Sequence, residues 1–301
     1  SAAGRRACSG CFWQVLTTLV GQTRFPNTRP AAIMLPSGVL IAPCAWHLAR
    51  MQNVEMLRPA LKFGLWAMIV GFVAVFLSGD QLGLVMVQTQ PMKMAAAEAM
   101  FNSACGADAS FSIFSIGTPD GTGEVWSLRV PYVLAFLSTH DFNGCVEGIN
   151  DLNQLYTTQM FPQFADQVNG NFAPILWVTY WAFRWMMGFG LLATAIAVVG
   201  LWVTRKNAKR PVAGWMWKIA IWQAPLALLG ILVGWIFTEM GRQPWIVFGV
   251  LATKDSVSPT VGAVTVATSL IVLTLLYAVL AVIEIGLMLR TARKGPDGPE
   301  E

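Results

Sequence analysis

The chain has 301 residues, of which 55% are hydrophobic and only 12% charged, with a formal net charge of +4. Soluble domains carry about 25% charged residues, so this composition excludes an ordinary soluble enzyme and indicates an integral membrane protein. No basic, aromatic-interleaved stretch suggests a nucleic-acid partner.

Residues 1–37 show no sustained hydrophobic period, and their prolines fall where a helix would otherwise run. They also lack the basic, apolar, then small pattern of a signal peptide. Cys8 and Cys11 form a lone CxxC, with no second pair and no nearby His pair to complete a zinc site. Segment 38–79 reads as the end of one transmembrane helix, over about 38–46, followed by a complete one over about 63–78. Segment 80–171 is a long loop. Three more runs, 172–203, 219–238 and 261–289, each reach the ~20 apolar residues that span a bilayer. Pro225 interrupts the middle one, which membrane helices tolerate when neighbours satisfy the freed carbonyl. Residues 290–301 form a tail whose GPDGPEE end reads as disordered. The expected fold is an all-α integral membrane protein with about four complete transmembrane helices plus part of a fifth.

Charge sets the expected orientation. Arg50, Arg58 and Lys62 precede the first complete helix; Arg205, Lys206, Lys209, Arg210 and Lys218 lie in the loop before the run at 219–238; Arg290, Arg293 and Lys294 follow the last. Single crossings place all three groups on one side, the cytoplasmic side by the positive-inside rule. The long loop then faces outside, and between positions 80 and 170 its only Lys and Arg are Lys93 and Arg129, against nine acidic residues. A loop of that length implies a role.

Several side chains stand out by place. Glu239 and Arg242 are three apart and share a helix face, at the end of an apolar run where charge marks function. Trp235 lies one turn back; in a chain with 13 tryptophans, such residues also read as an interfacial belt. Arg184 sits inside an apolar run and needs an anionic partner or a route to a headgroup. Met186 and Met187 beside it would by themselves be packing filler. Lys93 and Glu98 lie on an amphipathic PMKMAAAEAMF stretch and would by themselves be a solvated helix face. Glu284 reads as an interfacial carboxylate. Cys105 and Cys145 fall in the exterior loop; they could pair in an oxidising compartment, but free thiols are the plainer reading. Intramembrane charge and a broken helix would also suit a secondary transporter, although no internal repeat supports it.

GDQLG at 79–83, QPMKMAAAEAMF at 90–101, VPY at 130–132, YWAFRWMMGFG at 180–190 and WxxxExGRQPW ending at Trp245 occur in one order. In these motifs the chain resembles subunit I of the cytochrome bd-type quinol oxidases, over about residues 38–294. The resemblance implies the later half of a nine-helix subunit in the bacterial cytoplasmic membrane, its quinol loop outside and its C-terminus inside. The implied activity is quinol oxidation at the exterior face, with electrons passing through low-spin haem b, high-spin haem b and haem d to oxygen, which is reduced to water. Charge is separated without proton pumping, and a second membrane subunit is the implied partner. Lys93 and Glu98 match the loop residues implicated in quinol binding and oxidation. Met186 matches the low-spin haem b ligand and Arg184 a propionate partner. Glu239 matches the glutamate of high-spin haem b, Arg242 the arginine beside the propionates, and Trp235 and Trp245 aromatics near the haems.

The family also needs histidines, and this chain has two, His47 and His140. His47 falls at the end of its helix opposite to the family ligand. Counting back one helix length reaches Phe25-Pro26-Asn27-Thr28, with no histidine. Residues 1 to about 37 are therefore expected not to be authentic family sequence, and the chain to be an incomplete subunit I. A remnant that binds quinol without catalysis is the other reading.

Overall fold

A computed structural model describes residues 18–118, 123–205 and 214–295. The Cys8–Cys11 motif, Lys206, Lys209, Arg210 and the tail beyond residue 295 lie outside these described residues.

Among the described residues, five helical stretches are long and apolar enough to cross a membrane: Leu19–Leu48, Val54–Thr89, Leu176–Thr204, Trp215–Met240 and Ala263–Lys294. The first, α1 (Leu19–Leu48), corrects the expectation of a partial helix. It is continuous through Pro26, Pro30, Pro36 and Pro43. The prolines hid a helix because each lacks an N–H, a defect that neighbouring elements can absorb in a membrane bundle. Thr18 caps it, accepting from the Gly21 N–H at 3.2 Å. α2 (Val54–Thr89) runs past the expected boundary at residue 79, through the GDQLG motif. Its 36 residues span about 54 Å at 1.5 Å each, well beyond a ~30 Å hydrocarbon core, so one end must project from the bilayer.

The long loop is a folded cap. It holds α3 (Pro91–Glu98), the short pair β1 (Ala104–Cys105) and β4 (Cys145–Val146), the hairpin β2 (Phe111–Gly117) and β3 (Glu124–Val130), α4 (Val133–Thr139) and α5 (Ile149–Leu155). Cys105 and Cys145 are directly opposed in the β1–β4 pair and form a disulfide, which corrects the free-thiol reading. The cap has its own core, in which Phe101, Leu134, Leu152, Tyr156, Phe172 and Trp245 are buried together.

The membrane bundle packs α1 and α2 against α6 (Leu176–Thr204) and the broken pair α7 (Gly214–Ile221) and α8 (Gln223–Met240). The break falls at Trp222, close to Pro225. Gly38 of α1 meets the start of α8 so closely that a Cβ there would lie 2.8 Å from the Gln223 carbonyl oxygen; only glycine permits that approach. Beyond α8, β5 (Trp245–Val247) pairs with β6 (Leu251–Ala252). The last helix, α9 (Ala263–Lys294), buries none of its residues, yet its end is tied to α1: His47 Nε2 lies 2.7 Å from the Ala292 carbonyl. His47 Nδ1 lies 2.7 Å from Gln52 Oε1, so both ring nitrogens are engaged.

Candidate functional site

The site grows from α3. Pro91 supplies the first helical position, where its missing N–H costs nothing. Every residue from Met92 to Glu98 is buried. The solvated-face reading of Lys93 and Glu98 therefore fails: α3 is enclosed by α2, α6 and α5. Five residues apart, the two side chains leave α3 about 140° apart at 3.6 residues per turn, and they meet different partners.

Glu98 is 1% exposed and faces α6. Its Oε2 accepts from Arg184 Nη2 at 2.5 Å and its Oε1 from Nη1 at 3.3 Å. This bidentate pair is the anionic partner that Arg184 requires in the structure; the guanidinium also lies over the rings of Phe111 and Tyr180, at 4.6 and 4.8 Å. Burial pushes the Glu98 carboxyl above its ordinary value, and the Arg184 charge and hydrogen bonds oppose that push.

Lys93 faces α8 instead. Its Nζ donates to the Thr238 carbonyl at 3.3 Å and lies 4.7 Å from the centre of the Phe237 ring. Its stem fills the space above Gly241, where an added Cβ would lie 2.9 Å from Lys93 Cε. The glycine of the GRQPW motif thus makes room for the lysine. Burial lowers the Lys93 pKa to about 8, and the charges of Arg24 and Arg242 add to the effect while Glu239 opposes it.

A cavity of about 130 Å³ opens beside Lys93, lined among others by Arg24, Gln90, Phe172, Arg242 and Trp245. Trp245 is 3% exposed, and its indole N–H has no hydrogen-bond partner among the described residues. α8 ends at Met240, so Arg242 lies in the turn beyond it and not on a shared helix face, and from there it pairs with Glu239. Arg24 lies in the stretch whose sequence shows no sustained hydrophobic period, so no local signal marks it as a cavity residue. Arg129, one of the two Lys and Arg residues of the long loop, has a structural role. It donates to the Ala99 carbonyl at 2.8 Å and pairs with Glu124 at 2.6 Å, so it fixes the end of α3.

Other matched residues stay apart. Trp235 is 62% exposed, whereas Trp245 is buried. Met186 packs across to α8, its Sδ 3.0 Å from where a Cβ on Gly234 would sit. His140 is exposed and contacts Asp80 at 3.1 Å.

A sequence model described as Cytochrome bd terminal oxidase subunit I matches residues 2–296. The chain belongs to this family. The match begins well before residue 38, so the segment expected to lie outside the family falls within it. Subunit 1 of the Bacillus subtilis cytochrome bd ubiquinol oxidase is 31% identical, covering 97% of this chain and 60% of that protein. Subunit 1 of the Escherichia coli cytochrome bd-II ubiquinol oxidase is 25% identical over 95% of this chain and 64% of its own length. The bd oxidase structure from Geobacillus thermodenitrificans superposes with a TM-score of 0.76 at 26% identity, covering 93% of this chain and 59% of that one. The chain thus spans roughly three fifths of the length of the relatives it matches, with the bd oxidase-like arrangement of membrane helices.

The haems that the family implies can be tested against the helix levels. Gly38 on α1 is level with Gln223 on α8, and Met186 with Gly234, eleven residues further along α8. Eleven residues back from Gly38 on α1 is Asn27, whose Oδ1 accepts from Ser78 Oγ at 3.0 Å. His47 lies twenty residues from that level, about 30 Å along the helix. His47 is thus too far from Met186 to share a low-spin haem with it, and His140 is exposed in the cap with its Nε2 on Asp80, so a Met–His haem does not fit the residues present. Among the described residues no cluster of three or more His, Cys, Asp or Glu offers another metal site.

Proposed function

We propose that this bd oxidase chain supplies the quinol-handling part of a quinol:oxygen oxidoreductase in the bacterial cytoplasmic membrane, with the cap on the exterior face. In such a complex it would act with a second membrane subunit, and oxygen would be the final acceptor. The observation that carries this reading is the cavity beside Lys93, which is lined by the cations Arg24, Lys93 and Arg242 and by Trp245, whose indole N–H has no hydrogen-bond partner among the described residues. A donor-rich, aromatic-walled pocket at a membrane boundary suits the two oxygens of a quinol ring. Lys93 is the contact residue, its ammonium polarising a quinol oxygen. Glu98 faces away from that cavity. Its raised pKa suits proton exchange nearer neutrality than an exposed carboxylate allows, and its pair with Arg184 positions α3.

The position of Asn27 favours a second reading within the same family, a quinol-binding chain that lacks the low-spin haem.

Binding of decyl-ubiquinol and of a short-chain menaquinol to the full chain in nanodiscs tests the proposal. Lys93→Met is expected to weaken binding of the preferred quinol by about tenfold, equivalent to ~1.4 kcal/mol, while thermal stability is retained. Equal affinity of Lys93→Met and the parent chain would overturn the assignment.

A further inference from the structure

The β2–β3 hairpin has the wrong polarity for a hairpin in water. Its register pairs Ser112 with Arg129, Ser115 with Ser127 and Gly117 with Glu124 on one face, and Phe114 with Leu128 and Ile116 with Trp126 on the other. Ser112 and Ser115 are 0% and 2% exposed, whereas Ile116, Trp126 and Leu128 are 42%, 56% and 51% exposed. The two residues at the register shifts, Ile113 and Val125, are apolar and exposed as well. An antiparallel pair with one face in water turns its polar side outward; this one turns it inward. The charged side chains of the described strands, Glu124 and Arg129, pair with each other on the inner side.

The placement of the hairpin explains the inversion. β2 runs beside the first turns of membrane helix α6. Gly117 lies against Trp177, Phe114 packs on Trp181 with centroids 4.9 Å apart, Ser112 Oγ lies 2.8 Å from Tyr180 OH, and Phe111 sits under Arg184. These contacts cover residues 177–184, about 10 Å of helix. The aromatic row then continues from Trp181 to Trp185 and from Trp185 to Phe189. Trp185 and Leu192 are half exposed on the outside of α6, as lipid-facing residues are. The outer face of the hairpin therefore extends the bilayer-facing stripe of α6.

We propose that the outer face of this hairpin is a lipid-contacting surface, covered by phospholipid acyl chains of the leaflet on the cap side. Tryptophan is enriched at that depth because its ring is amphipathic. A two-stranded hairpin leaves edge N–H and C=O groups unpaired, which the hydrocarbon centre does not tolerate. It therefore rests at the boundary between headgroups and acyl chains, where water reaches its edges. This inference depends on the membrane placement of α6 and not on the quinol assignment.

The test is site-directed spin labelling of the full chain in nanodiscs of phosphatidylethanolamine and phosphatidylglycerol, with Cys8, Cys11 and Cys44 replaced by alanine. Nitroxides are placed at Ile116→Cys and Leu128→Cys. Leu192→Cys serves as the lipid reference and Asn150→Cys, exposed on α5, as the aqueous one. The expected result is an oxygen-to-nickel-chelate accessibility ratio at 116 and 128 severalfold above that at 150 and close to that at 192. Ratios matching position 150 would overturn the proposal in favour of water. Low collision rates with both reagents would overturn it in favour of a protein partner. Quenching of a bimane at the same cysteines by brominated lipid gives a second reading, expected to be strong at 116 and absent at 150.

Discussion

Arg184 and Glu98 are locked in a two-pronged ion pair, 2.5 Å at its shorter contact, that pins the short cap helix α3 to membrane helix α6 two residues before Met186. Both partners are nearly sealed from solvent, at 7% and 1% side-chain exposure. A sealed pair of this kind costs much to break, because the surviving charge is left without water or counter-ion. Removing one partner of a buried pair typically costs about 3–5 kcal/mol, while replacing both with apolar groups is often neutral. Arg184→Met alone and Glu98→Leu alone are therefore expected each to lower the stability of the cap strongly, and the double variant to recover most of the loss. Thermal unfolding of the cap in a double-mutant cycle measures this. Additive single effects would show that the two side chains act independently.

Lys93 should titrate in an accessible range. Its pKa is lowered to about 8, from an ordinary 10.5, by burial first and by Arg24 and Arg242 next. Between those two values the folded chain binds fewer protons at this site than the unfolded chain, so stability is expected to rise with pH through that window. Glu98 runs the other way. A carboxyl held above 4.5 by burial keeps its proton better in the folded chain, so its contribution falls as pH rises above that value. Competitive amine labelling across pH 7–10, read by mass spectrometry at the peptide containing Lys93, should give a midpoint near 8. A midpoint above 10 would mean that the lysine is not desolvated.

The Cys105–Cys145 bridge closes a loop with a sequence separation of 40. In the chain-entropy picture a loop of that length contributes about 3–4 kcal/mol. Reduction, or the double substitution Cys105→Ala with Cys145→Ala, should therefore open the cap to protease at a lower temperature and leave the membrane helices intact. Unchanged protease resistance after full reduction would assign the cap's stability to the core around Phe172 and Trp245 alone.

Asn27 provides a gain-of-function test of the haem argument. The purified chain is expected to give no low-spin haem b bands in a reduced-minus-oxidised spectrum after reconstitution with haem. Asn27→His places an imidazole at the helix level of Met186 and should introduce such bands, which Met186→Ala should then abolish. Haem bands from the parent chain that persist in Met186→Ala would show that another ligand set exists.

Four spans, the end of a fifth, the long loop between the second and third spans and the family were legible in outline because composition and motif depend on local sequence: apolar runs of bilayer length mark helices, and GRQPW marks its relatives. The boundaries were less legible. Proline signals a helix end in water, yet α1 passes four prolines, since a membrane bundle allows neighbours to repair the lost hydrogen bonds. The hairpin was hidden for a related reason: SIGTPDGTGEVW reads as turns, and its strands carry apolar residues on the face that a soluble cap would make polar.

The sequence by itself determined that the chain lives in a membrane and which residue types sit at the membrane boundary, because burial of apolar length depends on the order of residues alone. Only the tertiary structure decided their pairings. Lys93 and Glu98 are five residues apart, but the turn of α3 sends one to the Thr238 carbonyl and the other to Arg184, 86 positions away in the chain. Arg24, Lys93 and Arg242 share a cavity although they lie on α1, on α3 and in the turn after α8. Such contacts are set by how helices cross and how closely glycines let them approach, and that is a property of the packed bundle.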